Sequence, residues 1–345
     1  MLLVASLLVV IWGGGALLRL SAQRRVAAMA AVWALVVLTH LILPPEAGLR
    51  LATGGDARGW LVLGGVVAVV GLYRLVIRAL KARVPPPAPV ADPASFGAVE
   101  LDRYARHIIL REIGGPGQKR LKAAKVLVVG AGGLGSPALL YLAASGVGTI
   151  GVIDADLVDN SNLQRQIIHA DARIGMAKVQ SALVAMRALN PFVSLRPYQR
   201  RLTEDIAADL LADYDLILDG TDNFDTRYLV NRSAVAAGKP LISGAITQWE
   251  GQLSLFDPGQ GGPCYACVFP TRPAPGMVPS CAEAGVAAPL PGIIGSMMAM
   301  EAVKHLTGAG ETLRGRLMIH DALYAETRVI AVKRRSDCPV CGGTA

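Results

Sequence analysis

Acidic residues are almost missing from the first quarter of this chain. Before residue 90 only Glu46 and Asp56 stand against nine lysines and arginines, whereas the rest of the chain carries 25 basic and 24 acidic residues. The formal net charge of +8 therefore belongs to the N-terminal segment, and the excess of base is no footprint of nucleic-acid binding. No basic residue precedes the first apolar run, so it lacks the positive head of a secretory signal. Cysteine is scarce, five residues in 345 and all beyond residue 263. No short-period repeat appears, and the only biased stretch is a run of prolines at 84–93, a semi-rigid spacer by its extended backbone preference.

What the first quarter does have is apolar length. Runs at 2–18, 26–43 and 60–77 are separated by Arg24-Arg25 and by residues 44–58. Each is about long enough to cross a ~30 Å hydrocarbon layer as a helix. A signal sequence for the first run, or buried core helices, are the other readings. Arg19, Arg24 and Arg25 lie on one side, and Arg74, Arg78, Lys81 and Arg83 return to that side after two more crossings. Three spans thus place the start outside and everything after residue 84 in the cytoplasm. The expectation is a multi-pass protein of the cytoplasmic membrane. Residues 1–83 form a membrane segment of three transmembrane helices, 84–96 a proline-rich linker, and 97–345 a catalytic domain, long enough for one large α/β unit.

Within that domain an apolar strand, Val126–Val129, runs into a turn holding Gly130, Gly132, Gly133 and Gly135. A second strand, 149–153, ends in Asp154. Glycines permit a tight turn and close approach to phosphates at a helix N-terminus, and an acid at this spacing reaches ribose hydroxyls. The pattern alone says only mono- or dinucleotide. Asn162, Gln164 and Arg165, crowded just beyond the acid, favour a triphosphate over a nicotinamide dinucleotide. Helices are expected at 101–110, 136–145, 175–189 and 293–306, and further strands at 216–219, 240–243 and 252–256. The alternation implies a Rossmann-like, mostly parallel sheet with helices on both faces and its ligand at the carboxyl ends of the strands. The glycine turn, Asp154 and Asp222 all fall at such ends.

Cysteine spacing is the second signal. Cys264-Tyr-Ala-Cys267 and Cys338-Pro-Val-Cys341 are two Cys-x-x-Cys pairs, which suit one closed, structural Cys₄ zinc site. A disulfide is disfavoured in the cytoplasm, and a redox motif explains one pair but not two.

The run Arg103-Tyr-Ala-Arg106-His-Ile, the glycine turn, the stretch from Asp154 to Gln166, Met176-Ala-Lys178, Gly220-Thr-Asp-Asn223, Glu250-Gly-Gln-Leu-Ser-Leu-Phe256 and both cysteine pairs recur in order. Over about residues 100–342 they resemble the MoeB/ThiF/HesA family, relatives of the ubiquitin-activating enzymes. Residues 281–290 and 295–304 look closest to its MoeB branch, the molybdopterin-synthase adenylyltransferases. The resemblance implies adenylation, with ATP and Mg²⁺, of the C-terminal glycine carboxylate of a small ubiquitin-like sulfur carrier ending in Gly-Gly, in molybdenum cofactor biosynthesis or, alternatively, on a thiamine-type carrier. It implies cofactor contacts at Gly130, Gly132, Gly133, Gly135, Asp154, Ser161, Asn162, Leu163, Gln164, Arg165, Lys178, Asp222 and Asn223. Asn162, Arg165 and Lys178 would hold the triphosphate, Asp222 would hold Mg²⁺, and Arg106 would reach the phosphates of the partner subunit in a homodimer. Cys281, in a stretch rich in proline and glycine, is a possible thiol acceptor.

Three other readings stay open at this level. A nicotinamide oxidoreductase needs no amides and arginine after the ribose acid. A membrane-tethered docking module that has lost catalysis should have lost some of Asp154, Arg165, Lys178 and Asp222. A dehydratase acting on a tRNA nucleoside fits the near-neutral soluble part poorly.

Overall fold

The computed structural model describes residues 2–54, 56–83, 95–274 and 281–342. It divides into two compact units, Met1–Val90 and Ala91–Ala345.

The first unit is helical: Leu2–Leu17, Ala22–Ile42, Gly48–Thr53 and Ala57–Arg83. Ser21 caps the second helix, its hydroxyl accepting from Arg24 N–H at 3.4 Å. Val4, Val36, Val37 and Trp60 are buried together, and the Trp33 indole donates to Trp60 O at 2.9 Å. Of the three expected spans, two helices are long and apolar enough to cross a membrane, Ala22–Ile42 and Ala57–Leu80. The first run is the exception. Its helix has 16 residues, about 24 Å at ~1.5 Å per residue, and falls short of a ~30 Å layer.

The second unit is built on one eight-stranded sheet. Its strands are β1 (Lys125–Val129), β2 (Thr149–Ile153), β3 (Ser194–Tyr198), β4 (Leu216–Asp219), β5 (Leu241–Ile246), β6 (Glu250–Phe256), β7 (Arg316–Asp321) and β8 (Glu326–Ala331), in the order β3-β2-β1-β4-β5-β6-β7-β8. The first five in that order are parallel, and β6, β7 and β8 continue antiparallel. Because side chains alternate along a strand, each central strand feeds two cores. Val126 and Val128 pack with helices Gly135–Ala144, Lys178–Leu189 and Pro289–Thr307, while Leu127 and Val129 pack with Glu204–Ala212 and Phe224–Ala236. The chain winds from β1 through β2 to β3 one way, then through β4 to β5 the other. The reversal opens a crevice above β1 and β4, the usual ligand position in such sheets. Register completes it: Val129 pairs with Ile153 and with Asp219, so Gly130, Asp154 and Gly220 emerge at one edge.

Several boundaries differ from the sequence expectation, with local causes. The helix expected over 101–110 is two short ones, Ala98–Arg103 and Ala105–Ile109. They break at Tyr104, which is buried and whose hydroxyl accepts from Asn190 Nδ2 at 2.8 Å. The helix expected from residue 175 begins at Lys178, because Gly175 has φ +83° and Ala177 is bridged to Leu157. Strand β3, with Pro197 and Arg196, is an edge strand, and β8 is exposed along its length; neither carries the apolar run that marks a buried strand.

Candidate functional site

The turn after β1 is made by two glycines with definite tasks. Gly130 has φ +94°, and a Cβ on Gly135 would lie 1.9 Å from Gly130 O, so only glycine lets helix Gly135–Ala144 start this close to the strand. Asp154 closes the turn from the neighbouring strand. Its Oδ2 accepts from Ala131 N–H at 2.8 Å, and its Oδ1 from Asp156 N–H at 2.8 Å. The acid thus caps the turn, and both oxygens keep a spare lone pair for a ribose hydroxyl.

A cavity of about 1460 Å³ opens at these strand ends. It exceeds the ~300–1,000 Å³ of ordinary small-molecule sites, leaving room for more than a nucleotide. Gly130, Gly132, Gly133, Asp154, Arg165, Lys178, Asp222 and Asn223 line it together. Lys178 is no solvated helix lysine. It is 6% exposed, its Nζ lies 2.8 Å from Asp156 Oδ2, and its ammonium stands at the first residue of a helix. A cation there gains nothing from the helix dipole, so Asp156 holds it at the wall. Arg165 donates to Ser161 O at 3.2 Å, which orients its guanidinium. Asp222 is exposed on the wall. The cap of the following helix is supplied by Asn223, whose Oδ1 accepts from Thr226 N–H at 2.8 Å.

Not every expected contact meets. Ser161 and Asn162 form a short turn, Asn160–Asn162, and with Leu163, Gln164 and Gly135 they stand outside the cavity wall. Arg106 is exposed on helix Ala105–Ile109 and does not line the cavity of its own chain. Cys281 begins a short helix, Cys281–Ala284, and its side chain lies outside the described residues.

Other residues come forward that the sequence reading passed over. Gln166 lines the cavity yet is 5% exposed, and its Oε1 has no hydrogen-bond partner among the described residues. Beneath the Gly220 turn lies a buried network. Arg227 is 3.6 Å from Asp219 and donates to Ser243 Oγ at 3.2 Å and Gly244 O at 2.8 Å, and Ser243 donates to Asp219 at 3.0 Å. Asp219 also accepts from Thr221 N–H at 3.0 Å, so two buried charges fix the turn that presents Asp222. Neither residue belongs to a spacing pattern; the only signal was an acid ending an apolar strand.

The second cluster joins all four paired cysteines. Sγ–Sγ separations are 3.6 Å for Cys264–Cys338, 3.4 Å for Cys267–Cys341 and 3.9 Å for Cys264–Cys267, and all four atoms lie within 4.8 Å of one another. Tetrahedral zinc with Zn–S of about 2.3 Å requires ~3.8 Å between sulfurs, so the donor set fits. None of the four is in a disulfide. At Cys338 burial acts upward but is outweighed by backbone amides of Cys341 and Val340, which draw the thiol down to about 7, whereas burial raises the thiols of Cys264 and Cys341. The site ties the C-terminal segment to helix Tyr265–Val268, inside the core on the Leu127 face.

A family model described as ThiF family matches residues 104–340. The chain is 52% identical over 247 residues to the sulfur carrier protein adenylyltransferase of Thermus thermophilus, covering 70% of this chain and 91% of that one. It is 52% identical over 255 residues to the probable adenylyltransferase/sulfurtransferase MoeZ of Mycobacterium tuberculosis, covering 73% of this chain but 65% of that longer one. Among solved structures, E. coli MccB with ATP superposes with a TM-score of 0.62 at 23% identity, over 71% of this chain and 75% of that chain, a likeness of fold.

Proposed function

The chain belongs to the ThiF family, and from that premise we propose that the unit after Val90 is an ATP-dependent adenylyltransferase acting on a small ubiquitin-like sulfur-carrier protein ending in Gly-Gly. The observation that carries the reading is the meeting of Arg165, buried Lys178 and Asp222 with the glycine turn on one cavity wall. The names of the Thermus and mycobacterial relatives support the same reaction.

The difficulty of this chemistry is charge: an anionic carboxylate must approach an anionic α-phosphate. A carboxylate oxygen of the carrier's last glycine forms a bond to the α-phosphorus. The bond from that phosphorus to the bridging oxygen breaks, and pyrophosphate leaves with the electron pair. Arg165 supplies a planar fork and Lys178 a compact charge for the triphosphate, while Asp154 accepts from the ribose. Asp222 would hold Mg²⁺, which prefers one or two carboxylates plus phosphate oxygens and neutralises phosphate charge when bound. No side-chain nucleophile is needed, so Cys281 is not required for this step. Catalysis lies in positioning and electrostatics.

We assign the carrier to the molybdopterin-synthase type, the first unit to a membrane anchor with the catalytic unit in the cytoplasm, and the working form to a homodimer. ATP–pyrophosphate exchange with purified carriers tests the core of this. Exchange that depends on a carrier ending in Gly-Gly is expected, stronger with the molybdopterin type than the thiamine type. No exchange with any such carrier would overturn the reading, and preference for the thiamine type would overturn the carrier assignment alone.

A further inference from the structure

We infer that His169 is a positioning residue for the phosphate-binding amides, turning the peptide between Ala131 and Gly132 so that the Gly132 N–H faces the bound triphosphate. The inference rests on the adenylyltransferase reading above.

His169 is 7% exposed and lies behind the glycine turn, outside the cavity wall. Its Nε2 is 2.9 Å from Ala131 O and its Nδ1 is 2.9 Å from Ser181 Oγ. A carbonyl oxygen can only accept, so Nε2 carries the hydrogen, and in the neutral ring Nδ1 then accepts from the Ser181 hydroxyl. Geometry thus selects the Nε2-protonated tautomer of the neutral imidazole. Burial is the largest influence and opposes a second proton on the ring; the Ala131 carbonyl and Asp154 favour one, Lys178 and Arg173 oppose it, and the balance lies below the ordinary imidazole value.

The consequence for the turn follows from peptide geometry. No peptide bond among the described residues is cis, and in a trans peptide the C=O and the following N–H point in opposite directions. Ala131 O is held backward by His169, so Gly132 N–H is turned forward into the cavity that Gly132 lines. One residue on, Gly132 O accepts from Ser136 N–H at 2.9 Å and Ser136 Oγ at 2.7 Å, which turns Gly133 N–H forward too. Neither N–H has a partner among the described residues. Two adjacent free donors at a helix start form an anion cradle. They are held differently. The Gly133 donor is fixed by its own helix, whereas the carbonyl that aims Gly132 is held by His169. Ser181 belongs to helix Lys178–Leu189, so the same imidazole ties this donor to the element that begins with Lys178.

The test is carrier-dependent ATP–pyrophosphate exchange by the full chain and two variants. In His169→Gln the amide N–H₂ reaches the place of Nε2 and can still donate to Ala131 O. In His169→Asn the amide ends near Nδ1 and can serve only Ser181. Loss of kcat/KM for ATP by about tenfold to a hundredfold is expected for His169→Asn, the scale of a misplaced catalytic contact, with His169→Gln close to wild type. Equal losses in the two variants, or none in His169→Asn, would overturn the inference. Nitrogen-15 NMR of the wild-type ring reads the tautomer whether or not a variant folds. A neutral ring protonated at Nε2 is expected, and one protonated at Nδ1 leaves nothing to hold Ala131 O and sinks the idea. A wild-type chain without exchange would count against the adenylyltransferase reading, and the NMR result would still judge His169.

Discussion

Four aspartates line the cavity, and three have partners: Asp154 the glycine turn, Asp156 Lys178, and Asp225 Arg272. Asp222 has none among the described residues, which leaves its carboxylate free for a cation. Asp222→Ala should lower carrier-dependent exchange by about 10²-fold or more, the scale of losing a principal charge-stabilising group. As an exposed side chain it should change stability by no more than about 0.5 kcal/mol; near-normal exchange in the folded variant would refute its role. Gln166 makes the converse argument. Its buried amide oxygen, unpartnered among the described residues, gains from a ligand, so Gln166→Ala should weaken nucleotide binding, measured by calorimetry, while the free protein loses little stability. Acid should act through histidine. Burial holds His169 and His305 below the ordinary imidazole value of ~6.5. The unfolded chain then takes up protons first as pH falls. Their contribution to stability is complete above ~6.5 and is lost as pH falls from there through the folded-state values. Urea midpoints at a series of pH values check this, and His169→Gln should flatten the slope.

The cysteine cluster and the Arg227 network are properties of elements. The cysteines join helix Tyr265–Val268 to the C-terminal segment, and metal bound there adds its binding free energy to folding. One zinc per chain is expected, and Cys338→Ser should lower the melting temperature while leaving residual exchange in whatever remains folded. Metal analysis of protein never exposed to chelator, finding no zinc, would refute the site. Arg227→Met should cost about 3–5 kcal/mol in chemical denaturation, because it strands a buried Asp219 charge. The two cases divide what was legible in the sequence. Cysteine pairs, glycine turns and apolar strands are local patterns with fixed chemistry, so the gathering of the four paired cysteines, β1, β2, β4 and the strand-end position of Asp154 and Asp222 could be read directly. The Asp219–Arg227–Ser243 contact spans three elements, and His169 meets Ala131 across 38 positions; no window along the chain holds such pairs. Edge strands β3 and β8 escaped for another reason: they bury too little to need apolar runs.

At the scale of the whole molecule two proposals concern what the catalytic unit depends on. Arg106 stands exposed and away from the cavity of its own chain, so if it handles phosphate it does so in a partner. Inactive Arg106→Ala and Asp222→Ala chains, mixed under conditions where subunits exchange, should then recover part of the activity, since one site in the mixed dimer keeps both residues. Exchange without recovery would remove the trans role. The other dependence is on the first unit. Ala22–Ile42 and Ala57–Leu80 qualify as spans by length and composition, with 17% and 6% of their apolar windows buried. Apolar helices left this open are expected to seek lipid. All the residues proposed to handle phosphate lie beyond the proline-rich stretch, and prolines transmit distance better than they transmit a packed interface. A chain beginning at Ala94 should therefore be soluble and keep carrier-dependent exchange, while the full chain should sediment with membranes. Protease added to intact cells should spare the catalytic unit, and inverted vesicles should expose the stretch between Pro85 and Pro93 to cleavage. Digestion from outside would reverse the topology. A folded but inactive truncated chain would mean that the helices act in the site or in dimer formation rather than as a tether.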